Sequence, residues 1–269
     1  MMANLARFSA APRVREVTAL RYGAIHERVL AEHAARDVSL ASFRAHLIAI
    51  RARGWAVTSI RDLLDANGGR AAPPSGHAVA LTFDHGLASH ADPVLPALWE
   101  RRLPADFFVH PANVGRRGFL GWSELRGMAS AGMSIQLQAM PPADSAPVRI
   151  TQELARARGM LEDRIGFEVT LLGTAGRSPG RSFVERALAA GFRAVCVDRP
   201  GRWQPGEQKV VPRFSVRGNT SCAMLRDWME NRAMAVAAEY CRFCTQKIAR
   251  GLFGQLEEEA LGAPGRREA

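Results

Sequence analysis

The most chemically suggestive stretch of the sequence is Asp84-His85-Gly86, which directly follows the apolar run AVALTF at positions 78–83. An apolar run of this length predicts a strand that is buried on both faces. A carboxylate can act as a general base, and an imidazole can bind a metal ion or carry a proton. The tripeptide therefore predicts an acid–base or metal-dependent site at the end of a buried strand.

Other polar residues follow predicted strands in the same way. They are His110, Gln138, Thr174 and Asp198. In α/β folds with parallel strands, the carboxyl ends of the strands meet on one face, and the loops of that face carry the chemistry. We therefore expect these side chains to lie on the same face as Asp84 and His85.

Strand and helix patterns alternate along the chain. The segment SLASFRAHLIAIRARG predicts an amphipathic helix that begins after an N-cap at Ser39 and ends at Gly54. Runs such as AVALTF, ADFFVH, MSIQLQ, VTLLGT and FRAVCVD predict strands between helices. Repeated strand–helix units predict a parallel sheet, either open or closed into a barrel.

The composition is that of a globular protein. The 269 residues are 47% apolar and 23% charged, and the net charge of +10 favours anionic partners. No basic cluster is interleaved with aromatic residues, which argues against nucleic acid as a partner. No apolar run approaches the roughly 18 residues of a transmembrane helix. Four cysteines without regular spacing, and an N-terminus without a secretory signal pattern, predict a cytoplasmic location.

Several motifs resemble the polysaccharide deacetylase family, also known as the NodB-homology domain or carbohydrate esterase family four. VALTFDHG is similar to the family motif Thr-Phe-Asp-Asp-Gly, and LRYGAI resembles the family's opening strand. Residues 103–138 and the segment VVPRFSVRGNTS are similar to later family segments, so the resemblance runs from about residue 18 to about residue 225. It implies an irregular, incomplete (β/α) barrel with a C-terminal helical tail. It also implies metal-dependent hydrolysis of acetyl groups on sugars.

The resemblance assigns a role to each matching position. Asp84 matches the general base, whereas His85 replaces the metal-binding aspartate. Gln138 and Pro142 stand where the family has its two metal-binding histidines. No histidine follows His110, so the family's general acid is missing as well. These replacements predict an impaired hydrolase site without a cofactor.

Two further positions differ from the family pattern. Gly23 replaces the histidine of the opening Tyr-His pair, and Gly173 stands where the family has arginine or an aromatic residue.

Three functional hypotheses remain open from the sequence. The first is a catalytically impaired polysaccharide deacetylase-like protein of exopolysaccharide or cell-surface carbohydrate metabolism. The second is an active hydrolase of sugar N-acetyl (C–N, non-peptide) bonds, in which Asp84, His85 and His110 form a rebuilt zinc site. The third is a non-catalytic glycan-binding or regulatory module. The expected partner is an N-acetylated or acidic oligosaccharide or polysaccharide, with Trp203, Thr174 and Gln138 as sugar contacts.

The chain is predicted to divide into four segments. A flexible N-terminus at 1–17 precedes the barrel at 18–221, a helical tail at 222–261 and a disordered end at 262–269. The tail has a moderate apolar stripe with scattered Arg and Lys, so we expect it to pack on the barrel, with peripheral membrane contact left open as an alternative. Within the tail, Cys241 and Cys244 are spaced as neighbours on one helix face, and apolar packing is the preferred explanation.

Overall fold

A computed structural model describes residues 16–65, 77–139, 147–174 and 179–261. The predicted disordered end at 262–269, residues 1–15 of the predicted flexible N-terminus, and Pro142 lie outside these residues.

The described strands are short. They are β1 (Glu16–Tyr22), β2 (Ile25–His26), β3 (Val38–Ser39), β4 (Ala56–Thr58), β5 (His77–Phe83), β6 (Asp106–Val109), β7 (Ser134–Ala139), β8 (Leu171–Thr174), β9 (Ala194–Val197) and β10 (Val210–Ser215). The described helices are α1 (Leu40–Ala52), α2 (Ile60–Asp65), α3 (Val94–Trp99), α4 (Trp122–Ser130), α5 (Pro147–Ile165), α6 (Arg181–Ala189), α7 (Cys222–Met229) and α8 (Ala233–Leu261).

Seven parallel strands close into a barrel. Around the ring the order is β1, β10, β9, β8, β7, β6 and β5, and β5 closes it by pairing with β1 from Glu16↔His77 to Tyr22↔Phe83. The short strand β4 pairs with the first half of β5 and lies outside the ring, and β2 pairs with β3 in a separate small sheet. The predicted (β/α) barrel is therefore confirmed.

Small apolar side chains fill the interior of the barrel, together with Phe108 and Trp203. The small and aliphatic members are Val17, Ala19, Ala78, Ala80, Leu171, Ala194, Cys196 and Val211. Successive residues of a strand point to opposite faces. Because Val17 and Ala19 face inward, Arg21 at the carboxyl end of β1 does so too, and Arg213 follows Val211 on β10 in the same way.

A second apolar layer lies between the barrel and the surrounding helices. Helix α1 contributes Phe43, Leu47 and Ile50 to this layer, as its periodicity predicts. The predicted N-cap is confirmed, since the Ser39 hydroxyl accepts a hydrogen bond from the backbone N–H of Ser42 at 3.0 Å. Helices such as α1 pack their apolar faces against the barrel and thereby support the strands.

Helix α8 contacts the barrel at the carboxyl ends of its strands, through a nearly buried ion pair. Arg217 follows β10, and its Nη1 lies 2.7 Å from Oε1 of Glu239 on α8. Among the described residues, no helix combines the length and apolarity that crossing a membrane requires. Cys241 on this helix is exposed and Cys244 is half-buried.

Candidate functional site

The carboxylate of Asp84 is held by two arginines at the carboxyl ends of the barrel strands. Arg213 donates from Nη1 to Oδ1 at 2.7 Å and from Nη2 to Oδ2 at 3.1 Å, while Arg21 donates from Nε to Oδ2 at 2.5 Å. Both Asp84 and Arg213 are fully buried. Buried charges are tolerated when they are paired and hydrogen-bonded, which is the case here.

Asp198, at the end of β9, completes this group of charges. Its Oδ1 lies 2.7 Å from Nη2 of Arg213 and 3.3 Å from Nε of Arg21. We call Arg21, Asp84, Asp198 and Arg213 the mouth cluster. It combines two cations with two anions. Asp198 lies on the same face as Asp84, as its position after a predicted strand indicates, but its pairing with two arginines was not predicted.

The two arginines set the protonation state of Asp84. Burial by itself would raise the pKa of this carboxyl group, but the charges and hydrogen bonds of Arg213 and Arg21 outweigh burial and lower the pKa to about 2. Asp84 is therefore ionised at neutral pH. Its two oxygens already accept hydrogen bonds from guanidinium groups, so the carboxylate is a poor base for a water molecule.

The glycine at position 173 makes room for an aromatic ring that supports Arg213. A Cβ atom at Gly173 would lie 2.5 Å from Cδ1 and 2.7 Å from Cγ of Phe108. The guanidinium carbon of Arg213 in turn lies 5.1 Å from the centre of the Phe108 ring, a cation–π contact. The barrel interior at this level is thus filled by Phe108 and Arg213, and a larger residue at position 173 does not fit.

Gln138 bonds to the loop that carries His85. The backbone N–H of His85 donates to Oε1 of Gln138 at 2.7 Å. His85 has a φ of 77°, a left-handed conformation that is uncommon for residues other than glycine. Gln138 is buried, and its Nε2 has no hydrogen-bond partner among the described residues. The oxygen of Gln138 is thus used by the loop, and what remains available is an N–H donor.

These residues do not fit the divalent metal that the family resemblance implies. A metal ion needs oxygen or nitrogen lone pairs, but the oxygens of Asp84 and Gln138 are occupied by N–H donors. The guanidinium of Arg21 would also repel a dication at this point. Within the described residues, no three His, Cys, Asp or Glu side chains come together as a metal site.

His110 does not join the rebuilt zinc site that was considered from the sequence. Its side chain is exposed, and its Nδ1 accepts a hydrogen bond from the backbone N–H of Ala112 at 3.2 Å, where it caps a short turn after β6. His85 lies at the barrel mouth with a pKa lowered mainly by burial. The structure brings Asp84 and His85 together but does not add His110 as a third ligand.

All three predicted sugar contacts, including Gln138, are buried. Trp203 is fully buried in the barrel interior, where it exchanges backbone hydrogen bonds with Val17 at the start of β1 and donates from Nε1 to the carbonyl of Gln208. It thus lies at the opposite end of the barrel from Asp84, and the prediction that it stacks on a sugar is wrong. The Thr174 hydroxyl is also buried, and it donates to the carbonyl of Cys196.

A large cleft opens above the mouth cluster. It has a volume of about 1310 Å³ and is lined at its base by Arg21, His85 and Asp198. One wall is formed by residues 23–37 and the other by α8, which contributes Glu239 and Phe243. We call this space the barrel-mouth cleft. Ligand sites in proteins are commonly about 300–1,000 Å³, so the cleft is large enough for an extended ligand.

The sequence reading missed Arg21 and Arg213, although a signal for both was present. Each is a charged residue at an inward-facing position of an otherwise apolar strand. Arginine is almost never fully buried without a partner. An inward-facing arginine therefore predicts a carboxylate nearby, and the candidates at the same face were Asp84 and Asp198.

Comparisons with known proteins agree with this architecture. The family model described as polysaccharide deacetylase matches residues 71–195. Among solved structures, the Streptococcus pyogenes deacetylase PplD in complex with acetate has a TM-score of 0.71 at 19% identity, covering 80% of this chain and 98% of that one. IcaB from Ammonifex degensii has a TM-score of 0.67 at 21% identity, covering 83% and 98%.

A third structure extends the comparison. The BpsB deacetylase domain from Bordetella bronchiseptica has a TM-score of 0.59 at 18% identity, covering 77% of this chain and 98% of that one. No curated protein matches this chain in sequence. The resemblance to the polysaccharide deacetylase family is confirmed, and the solved structures show that the fold is shared.

Proposed function

We propose that this chain, whose residues 71–195 match the polysaccharide deacetylase family, is a catalytically impaired protein of exopolysaccharide or cell-surface carbohydrate metabolism. In this proposal the barrel-mouth cleft holds a glycan, and the protein does not hydrolyse its acetyl groups at the rate of a metal-dependent deacetylase.

The state of Asp84 carries this proposal. A general base must accept a proton from water, yet both oxygens of Asp84 already accept hydrogen bonds from Arg21 and Arg213. The replacement of a metal-binding aspartate by His85 and of a histidine by Gln138 supports the same conclusion. We infer that the mouth cluster is a structural remnant of a hydrolase site, in which arginine supplies the positive charge.

The cleft supports a role in binding. Its base offers charged and hydrogen-bonding groups, and Phe243 on α8 offers an aromatic ring at the wall. Polar groups together with an aromatic surface suit a sugar, whose hydroxyl groups form hydrogen bonds and whose C–H face packs on a ring.

Two measurements on the full chain test this proposal. The first is elemental analysis after incubation with Zn²⁺ or Co²⁺ and removal of excess ions, on the wild type, on His85→Ala and on His33→Ala. His33 lines the same cleft away from the mouth cluster and is the matched control. We expect no stoichiometric ion in any of the three proteins.

The second measurement is acetate release from N-acetylated sugar oligomers by the metal-incubated protein. We expect no release above the rate without protein. One ion per chain that is lost in His85→Ala but kept in His33→Ala, together with rapid acetate release, would establish an active hydrolase with a rebuilt metal site instead.

A further inference from the structure

A small cavity beside the barrel-mouth cleft has a strongly basic lining. It has a volume of about 460 Å³ and lies between the β9–β10 connection and α8. Its cationic and aromatic side chains are Arg199, Arg202, Lys209 and Tyr240, and Pro200 and Pro212 form part of its walls. We call this cavity the basic notch.

Two of the three cationic side chains of the notch lack an ion-pair partner among the described residues. Arg199 and Lys209 are both exposed, and neither forms an ion pair with another described residue. No acidic side chain is among the described residues that line the cavity. An unbalanced group of cations around a concave surface attracts anions, and the low-dielectric walls strengthen the attraction.

Arg202 also lines the notch, and contacts on its other side hold its guanidinium group in place. It is held from behind by the Glu16 carboxylate and by the carbonyl oxygen of Met229. Its Nε is buried and has no hydrogen-bond partner among the described residues. A buried N–H group without a partner is unfavourable, so an acceptor that reaches Nε would gain a hydrogen bond and would remove this cost.

The loop between β9 and β10 keeps the walls of the notch close together. Gly201 has a φ of 157°, and a Cβ atom at this position would lie 3.3 Å from both Cβ and Cγ of Pro212. Glycine thus allows the loop to approach the rigid proline ring. This part of the notch wall is therefore formed by backbone and a rigid ring.

The notch adjoins the barrel-mouth cleft. Pro200 lines both spaces. On α8, the ring of Tyr240 in the notch lies 6.0 Å from the ring of Phe243 in the cleft, measured between centroids. A chain-like ligand can therefore extend from one space into the other over this pair of rings.

We propose that the basic notch binds an acidic substituent, a carboxylate or a sulfate, of a glycan whose neighbouring sugars occupy the barrel-mouth cleft. The proposal rests on the proposed function, because it assigns the ligand of the same cleft to the acidic glycans. Arg199 and Lys209 attract the oxyanion, and Arg202 Nε and the Tyr240 hydroxyl are the directional donors.

Binding of labelled oligosaccharides to the full chain tests this proposal. The probes are a short oligogalacturonate, which carries carboxylates, a heparin-derived oligosaccharide, which carries sulfates, and a neutral N-acetylglucosamine oligomer. The test variant is Arg199→Glu with Lys209→Glu. The matched control is Arg149→Glu with Arg156→Glu, because both of these arginines are exposed on α5 and the net charge changes equally.

We expect at least one acidic probe to bind the wild type and the control, and to bind about tenfold or more weakly to the test variant. Binding should weaken as salt is added, because ions screen the exposed charges. The neutral probe should bind all three proteins equally. Comparison of the two acidic probes identifies which oxyanion the notch prefers.

Three results would overturn the proposal. The first is that the test variant binds each acidic probe as tightly as the wild type does. The second is an equal loss in the control, which would indicate attraction by net charge alone. The third is that a single-stranded DNA of similar charge binds the wild type as tightly and loses as much affinity in the test variant. Unchanged binding of the neutral oligomer in any of these cases would leave the proposed function intact.

Discussion

Arg213 and Asp84 form a fully buried ion pair over β1, the strand that separates β10 from β5. The pair is bidentate, with Nη1–Oδ1 at 2.7 Å and Nη2–Oδ2 at 3.1 Å. Fork-like pairing of this kind is the strongest geometry between arginine and a carboxylate. The pair connects β10, the last strand of the barrel, to the carboxyl end of β5, which Asp84 follows. Asp84 therefore has a structural role that does not depend on catalysis.

Replacing Asp84 by alanine should destabilise the protein strongly. The variant leaves the buried guanidinium of Arg213 without its main partner, and breaking a buried pair in this way costs about 3–5 kcal/mol. Urea denaturation of the wild type and Asp84→Ala measures the free energy of unfolding. The control is Asp163→Ala on α5, where the carboxylate is exposed and the expected change is within about 0.5 kcal/mol. Equal stability of the two variants would contradict a structural role for the pair.

Asp106 lies at the other end of the barrel, and its carboxyl group should make the stability of the protein depend on pH. This carboxylate is fully buried at the start of β6 and accepts hydrogen bonds from the backbone N–H groups of Ile60 at 2.6 Å and Arg61 at 3.4 Å. Burial raises its pKa to about 7. In the unfolded chain an aspartate titrates near pH 4. Between these values the folded state keeps the proton and the unfolded state has lost it, so this group lowers the stability as the pH rises.

The variant Asp106→Asn should remove this contribution, because its amide does not titrate and can still accept from Ile60. The stability of Asp106→Asn relative to the wild type should rise from about pH 4 to about pH 7 and then level off. His90, whose pKa burial lowers to about 4, contributes with the opposite sign in both proteins and cancels in the difference. Urea denaturation at a series of pH values measures this difference. A difference that stays constant across the series would show that Asp106 is ionised throughout.

Gly173→Ala tests the packing that supports Arg213. The added methyl group would lie 2.5 Å from the Phe108 ring, and that ring is buried in the barrel interior. Overpacking of this kind costs about 1–3 kcal/mol. Gly127→Ala on α4 is the control, since no neighbouring side chain or strand lies within 4 Å of its added Cβ and alanine is the better helix former.

Thermal unfolding measures the stability of both variants. Adding Phe108→Leu to Gly173→Ala should reduce the loss of stability, because the two positions are in contact. A Gly173→Ala protein as stable as Gly127→Ala would show that the ring can move aside.

Glu239→Ala should loosen α8 and thereby open one wall of the barrel-mouth cleft. The variant removes the partner of Arg217, and the expected cost is about 1 kcal/mol because the arginine remains partly exposed to water. Hydrogen exchange of the α8 amides should become faster, whereas exchange in the barrel strands should not change. Glu185→Ala on α6 removes an exposed pair with Arg181 and should leave exchange at α8 unchanged. Unaltered exchange in Glu239→Ala would mean that other contacts hold the helix.

The architecture and the position of the site could be predicted from the sequence. Alternating strand and helix patterns led to a parallel α/β fold, because each pattern reflects local burial. The run AVALTF followed by Asp84 and His85 predicted the face on which Asp84 and Asp198 meet, since the carboxyl ends of parallel strands lie together. The absence of histidines after His110 also led to the prediction, which remains to be tested, that the metal site implied by the family resemblance is incomplete.

Only the tertiary structure decided how the charged residues at the barrel mouth are paired. Arg21, Asp84, Asp198 and Arg213 are far apart along the chain, and their pairing depends on the closure of β5 against β1. The burial of Trp203 depends on a loop that folds back to the start of β1, which no local pattern encodes. The basic notch likewise arises because α8 packs beside the β9–β10 connection. Strand periodicity is a local property of the sequence, whereas ion pairs and cavities are formed by side chains that only the closed barrel brings together.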